Sequence, residues 1–368
     1  MFGAHFGCVA RAAAVTGLIL LAASTQAHAQ SKDWKNEWDQ AVAAAKKEGG
    51  IVISAPSGGL WRDLLMTFNK DYPEIKMEIT PGAGPDFWAR VAKEREAGQY
   101  LWDIRLGGPV PTTYRLKDEG QLVPVKPLLL LPEVADDSKW IDPKGMYLDK
   151  EKTYFPAYAI YDSRTVYYNK KFIKPSEAPK IESLTDPQWV GKISMADPRG
   201  GAALNMLSAI LKVYGEDKLK KLMLEQKPVQ TQDPRQQMTW LTSGRYPIAF
   251  GMSPSVLVEY AQKGGSIDDI EQVGGLLMWA PGTGGVQIPS KGPHPNATKV
   301  FVNWLLTADV QYRLAKAVQF NSRRNDVPVA MPDIAVDVSR LSEYISTQGE
   351  DIEPFVFRAN EILKEIVK

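Results

Sequence analysis

Two arginines set beside glycine pairs carry the most telling chemistry of this sequence: Arg105 ahead of Gly107-Gly108, and Arg199 ahead of Gly200-Gly201. A glycine-rich loop that opens a helix leaves backbone N–H groups free at the positive end of the helix dipole. With a guanidinium alongside, it suits capture of a carboxylate or phosphate. Ser57-Gly58-Gly59 is a third loop of this kind, so Ser57, Gly58, Gly108 and Gly201 are candidate ligand contacts. Arg105 falls near the carboxyl end of a strand, where a parallel sheet calls for an apolar residue. A guanidinium there requires a partner, either a bound anion or an internal carboxylate at Asp103 or Asp86. Trp61 and Tyr158 offer ring faces to a ring or sugar, or else pack the core as lone aromatics usually do.

Other chemistries are excluded by composition. Arg11, the apolar run Ala12 to Ala23 and the small residues Ala27 and Ala29 form a secretory signal over residues 1–29, so the mature chain is expected to begin near Gln30. The run is about twelve residues, too short for a bilayer span of roughly twenty. Cys8 is the sole cysteine and leaves with the signal, as do His5 and His28, so only His294 survives. A disulfide or a multi-histidine metal site is therefore unavailable, and a Ser-His-Asp triad would have to use His294. Proline at the first helical position explains Pro293-His294-Pro295-Asn296 structurally. With 44 basic against 43 acidic residues and no basic block, nucleic acid is not an expected partner. No acidic pair sits in a recognisable motif, which argues against a secreted carboxylate-dependent enzyme.

The elements that position these residues alternate. Trp34, Trp38, Val42 and Ala45 recur at helical spacing up to Gly49-Gly50, and Ile51 to Ile53 is a β-branched strand. A small-residue loop, a helix from Leu60, a strand at Lys76 to Thr80, a helix at Phe87 to Ala97 and a strand at Trp102 to Leu106 follow. This order predicts an α/β fold with mainly parallel sheets and ligands beyond the carboxyl ends of the strands. Thr153 to Asn169 reads as an extended crossing to a second unit, which repeats the logic from Lys192 onward. Pro281 to Gly285 suits a return hinge, and the helices at Pro295 to Thr307 and Gln311 to Ala317 pack back on the first unit. The expected division is 30–160 with 280–325 as lobe 1, and 161–279 with 326–368 as lobe 2.

Several dispersed motifs follow the order of a known family: Ala45-Lys46-Lys47-Glu48-Gly49, Trp102-Asp103-Ile104, Tyr168-Asn169, Asp186-Pro187-Gln188-Trp189-Val190-Gly191-Lys192, Asp197-Pro198-Arg199, Pro293-His294-Pro295-Asn296-Ala297, Gln311 and Ser322-Arg323. Over roughly residues 34 to 330 the chain resembles the periplasmic solute-binding proteins of ABC importers related to ferric-ion, thiamine and phosphate-ester binders. The resemblance implies a two-lobed type II periplasmic binding protein fold with a hinge of crossing strands. It also implies a monomer that closes on a small-molecule ligand and delivers it to an inner-membrane permease, with no cofactor.

Ferric binders of that family hold the metal with adjacent tyrosines after the strand that here reads Tyr246 to Gly251. This chain continues Met252-Ser253-Pro254-Ser255, so the pair is absent and no metal site is expected. Ser253 and Ser255 inherit the location with hydroxyls that suit a polar organic ligand. Tyr167-Tyr168 belongs to the crossing strand, where neighbours point to opposite faces. The leading expectation is a small organic anion; the alternative is a ferric or other metal ion on the same fold, using Tyr158 or Tyr167.

Overall fold

The computed structural model describes residues 34–82, 84–141 and 146–367. The expected signal segment, with Cys8, His5 and His28, lies outside them.

A helix over residues 34–48 stops at Gly49, whose φ of 74° is the left-handed turn that the Gly-Gly pair permits. The strand Gly50–Ala55 then pairs in parallel with Lys76–Pro81 and with Ile104–Leu106, while Val286–Gln287 adds an antiparallel edge beside 104–106. Helices cover this four-stranded sheet, so Ile51, Ile53, Ile104 and Leu106 are fully buried and the strands read as apolar runs. Phe68, Phe301 and Leu314 complete that core.

A second sheet of five strands has Ile193–Ala196 parallel to both Val229–Thr231 and Ile248–Phe250, with Val166–Asn169 antiparallel to 248–250 and to Ile270–Gln272. Its core is built on Ile193, Met195, Leu207, Ile210 and Phe250, and the last helix, Glu353–Ile366, adds Ala359, Ile362 and Leu363.

A third sheet lies between these cores. Ala159–Asp162 pairs antiparallel with Asn321–Ser322 and with Met278–Ala280, and 278–280 pairs in parallel with Ile345–Ser346. The first of these strands leads from one core into 166–169 of the other, and 278–280 leads back to 286–287. The crossing expected at Thr153 to Asn169 is thus two strands, separated by Ser163 to Thr165. The C-terminal stretch expected as second-lobe sequence divides. Val336 packs with Phe87, Trp88 and Tyr114 of the first unit, while 353–366 packs in the second core.

Three of the sequence motifs meet at one junction. Glu48 caps the helix Pro295–Leu306, its carboxylate accepting from Asn296 N (3.1 Å), Asn296 Nδ2 (2.6 Å) and Ala297 N (2.8 Å). Buried Asp103 accepts from Val52 N (2.8 Å) and His294 N (2.7 Å), with His294 Nδ1 at 2.8 Å from its other contact oxygen. His294 is therefore a strut between the first sheet and that helix, consistent with its structural reading.

Candidate functional site

The first sheet ends in a well of about 440 Å³, lined by Ser57, Gly84, Arg105, Gly107, Gly108, Gly282, Thr283 and Gln348 among others. Gln287 holds its rim: Nε2 donates to Gly107 O (2.8 Å) and Gly108 O (3.1 Å), and Oε1 accepts from Trp88 Nε1 (3.2 Å). The chain crosses here backbone to backbone, Gly108 N donating to Gly282 O at 3.1 Å. A Cβ at Gly108 would stand 2.7 Å from that carbonyl and overlap Gln348 Oε1.

Arg105 lies in the floor of this well, 5% exposed. Nη1 donates to Leu106 O, the guanidinium sits 5.8 Å from the Phe87 ring centre, and Nε has no partner within the protein. Neither carboxylate offered by the sequence pairs with it, since Asp103 is engaged by His294 and Val52 and no described ion pair joins Arg105 to Asp86. Burial pulls the guanidinium down to about 10, with the Tyr158 phenol opposing the shift, so it stays cationic at neutral pH. Gln348 Oε1, on the same wall, is likewise buried without a donor.

The second sheet ends in a cavity of about 580 Å³, lined by Asp197, Arg199, Gly201, Gln232, Ser253 and Ser255 and facing the starts of the helices Gly201–Tyr214 and Pro254–Gln262. Here the expected guanidinium is already committed. Arg199 Nε donates to Asp197 Oδ1 (2.9 Å) and Nη2 to Oδ2 (2.7 Å), and the same carboxylate accepts from Arg199 N (3.0 Å) and Gln232 Nε2 (3.1 Å). These bonds hold the Asp197 carboxyl far below its usual range. Ser253 and Ser255 face each other, Oγ to Oγ 2.9 Å.

Between the two lies a chamber of about 530 Å³ that shares Gly282 and Thr283 with the first well and Ser253 and Ser255 with the second. The three cavities therefore form one row, with Tyr161 of the crossing strand 159–162 in the wall of the central one. The profile of the bacterial extracellular solute-binding proteins matches residues 41–312, most of the chain. The chain is a bacterial extracellular solute-binding protein. Such a protein takes a small-molecule ligand and works with the permease of an ABC transporter, outside the cytoplasmic membrane. Among the described residues no helix is long and apolar enough to cross a membrane.

Solved structures of similar fold include iron-bound HitA of Pseudomonas aeruginosa (TM-score 0.61, 15% identity, covering 87% of this chain and 99% of that one). FutA of Trichodesmium with iron and citrate aligns with a TM-score of 0.65 and 15% identity over 87% of this chain and 99% of its own. Ferric iron-binding protein A of Mannheimia haemolytica, in an open conformation, gives 0.64 and 16% over 86% and 98%. At such identities the likeness establishes the two-lobed fold. No curated protein matches the chain.

Within this solute-binding protein the expected contacts separate. Ser57, Arg105 and Gly108 line the first well and Arg199, Gly201, Ser253 and Ser255 the second. Gly58 does not line the row; it precedes a helix of 7 residues beside Ser57, which does. Trp61 is corrected to core: it is buried and stacked on Phe320, ring centres 6.5 Å apart. Tyr158 is fully buried beside Phe320, so its ring cannot stack on a solute. Tyr167 and Tyr168 are structural, Tyr168 donating to Glu271 Oε2 at 2.7 Å, and burial pushes both phenols up to about 12. Gln348, Thr283 and Tyr161 were not anticipated. They lie in no motif and reach the row only through the pairing of the crossing strands.

Proposed function

We propose that this protein captures a small organic oxyanion between its lobes and hands it to the permease of its importer. Arg105 carries the reading: a buried cation, unpaired with any described carboxylate, in the floor of the first well. A desolvated guanidinium favours a carboxylate or phosphate that can accept two parallel bonds. Gln348 Nε2 and Ser57 Oγ would complete that contact, the Gly107 and Gly108 amides being committed to Gly285 O and Gly282 O. Ser253, Ser255 and Gly201 would meet the solute from the other lobe on closure. Arg199 would serve by holding Asp197 rather than by binding. The mature protein would act in the periplasm after loss of residues 1–29.

A ferric-ion reading is favoured by the neighbours, several of which are iron proteins by name. Against it stands the chemistry of the donors. Fe(III) wants anionic hard oxygen ligands. The tyrosine of the central chamber, Tyr161, has its phenol raised by burial, which opposes tyrosinate. Among the described residues no cluster of three or more His, Cys, Asp or Glu side chains is arranged for a metal.

The test is the solute itself. Protein from a periplasmic extract, denatured and analysed by mass spectrometry and iron assay, should release a near-stoichiometric organic anion and little iron. Near-stoichiometric iron with a visible tyrosinate band would overturn the proposal.

A further inference from the structure

The central chamber differs in character from the wells on either side. Val258 of the helix 254–262, Val318 at the end of the helix Ala308–Val318, Phe320 just beyond it, and Met331 and Ile334 present apolar walls to it. Val258 is 50% exposed on the chamber wall. No lysine or arginine lines the chamber, and its one charged lining residue is Glu259. That carboxylate is held by Lys263 and by Arg235 at 3.1 Å. With that carboxylate neutralised, the chamber offers the charged end of a solute no partner, whereas Arg105 lies across the shared wall at Gly282-Thr283. The serines that border the chamber bond each other, and Gln262, Gln319 and Thr283 supply the rest of its polar lining.

We infer that the solute is an amphiphilic oxyanion, an aryl- or alkyl-bearing carboxylate whose charged end enters the Arg105 well and whose apolar body fills the chamber beside Val258, Phe320 and Ile334. The inference rests on the anion reading above and narrows it: acetate, inorganic phosphate and sugar phosphates lack the body that the chamber is built to desolvate.

The experiment is calorimetric titration of the mature chain with acetate, inorganic phosphate, phenylacetate, octanoate and the uncharged phenylacetamide. Burial of a phenyl ring or alkyl chain should make phenylacetate or octanoate bind about ten- to a hundred-fold more tightly than acetate. Phenylacetamide should bind more weakly than its acid. Val258→Glu should weaken the larger acids by about ten-fold or more, since it places a charge in the body's path, and leave acetate within about two-fold; Val258→Leu should keep the wild-type pattern. Arg105→Gln should weaken every acid. If Arg105→Gln weakens the acids while acetate or phosphate binds as tightly as the larger ones, or Val258→Glu changes nothing, the anion reading stands and this inference falls. If no acid binds, or Arg105→Gln leaves all binding unchanged, the anion reading fails and the inference with it.

Discussion

Replacing Arg105 with glutamine separates a binding arginine from a structural one. The side chain is 5% exposed, donates to the Leu106 carbonyl and leaves Nε unpaired within the protein. A hydrogen bond to a charged group contributes about 1.5 to 3 kcal/mol. Loss of one such bond to the solute therefore weakens binding by roughly ten- to a hundred-fold, and loss of a bidentate pair by more. The empty protein should respond differently. Burial pulls the folded guanidinium down to about 10, so the cation costs stability on the order of 3 kcal/mol in the empty state. Glutamine removes that cost and gives up the Leu106 bond and the Phe87 contact, so the net change should lie within about 1 kcal/mol. Arg105→Lys should bind with intermediate affinity, because an ammonium cannot reproduce the planar fork. Titration with the copurifying solute gives the affinity and urea unfolding of the stripped protein gives the stability. Wild-type affinity in Arg105→Gln, or a stability loss above about 3 kcal/mol in the empty variant, would refute the reasoning.

Lys117 is buried between Glu350 (2.9 Å) and Glu151 (2.6 Å), so Lys117→Met should cost about 3 kcal/mol by urea unfolding through the carboxylate left at Glu350, and adding Glu350→Gln should restore most of it. Gly108→Ala should weaken solute binding by roughly ten-fold or more in calorimetry, because its Cβ meets the Gly282 carbonyl at 2.7 Å and displaces Gln348. Asp197 and Asp326 are held below the usual carboxyl value by Arg199 and Arg324, so the folded state binds fewer protons there than the unfolded chain. Their stabilisation is present above the ordinary value near 3.8 and is lost progressively as pH falls from there through the depressed folded values, so Tm should drop steadily below roughly pH 5, and Asp326→Asn should flatten part of that fall.

The alternation of helices and strands was legible because parallel strands covered on both faces read as short β-branched runs, as at Ile51 to Ile53 and Ile193 to Met195. Arg105 was legible for the same reason, as a charge where that pattern calls for an apolar residue. Pairings across long stretches of chain were not. Glu48 reaches Asn296 and Asp103 reaches His294 only once the last helices return to the first sheet, so motifs that mark the family turn out to lock the scaffold rather than line the cleft. Trp61 gave no local sign of its partner Phe320, and Gln348 sits in a segment with no periodicity. Arg199 lines the second cavity, but its fork is taken by a local partner, Asp197 two residues earlier.

The most direct test is a crystal structure of the mature protein with the solute that copurifies with it. The account predicts closed lobes, an oxyanion within hydrogen-bond distance of the Arg105 guanidinium, and the rest of the solute lying along the wall of Gly282 and Thr283. A metal ion held by Tyr161, or a solute seated away from Arg105, would contradict it.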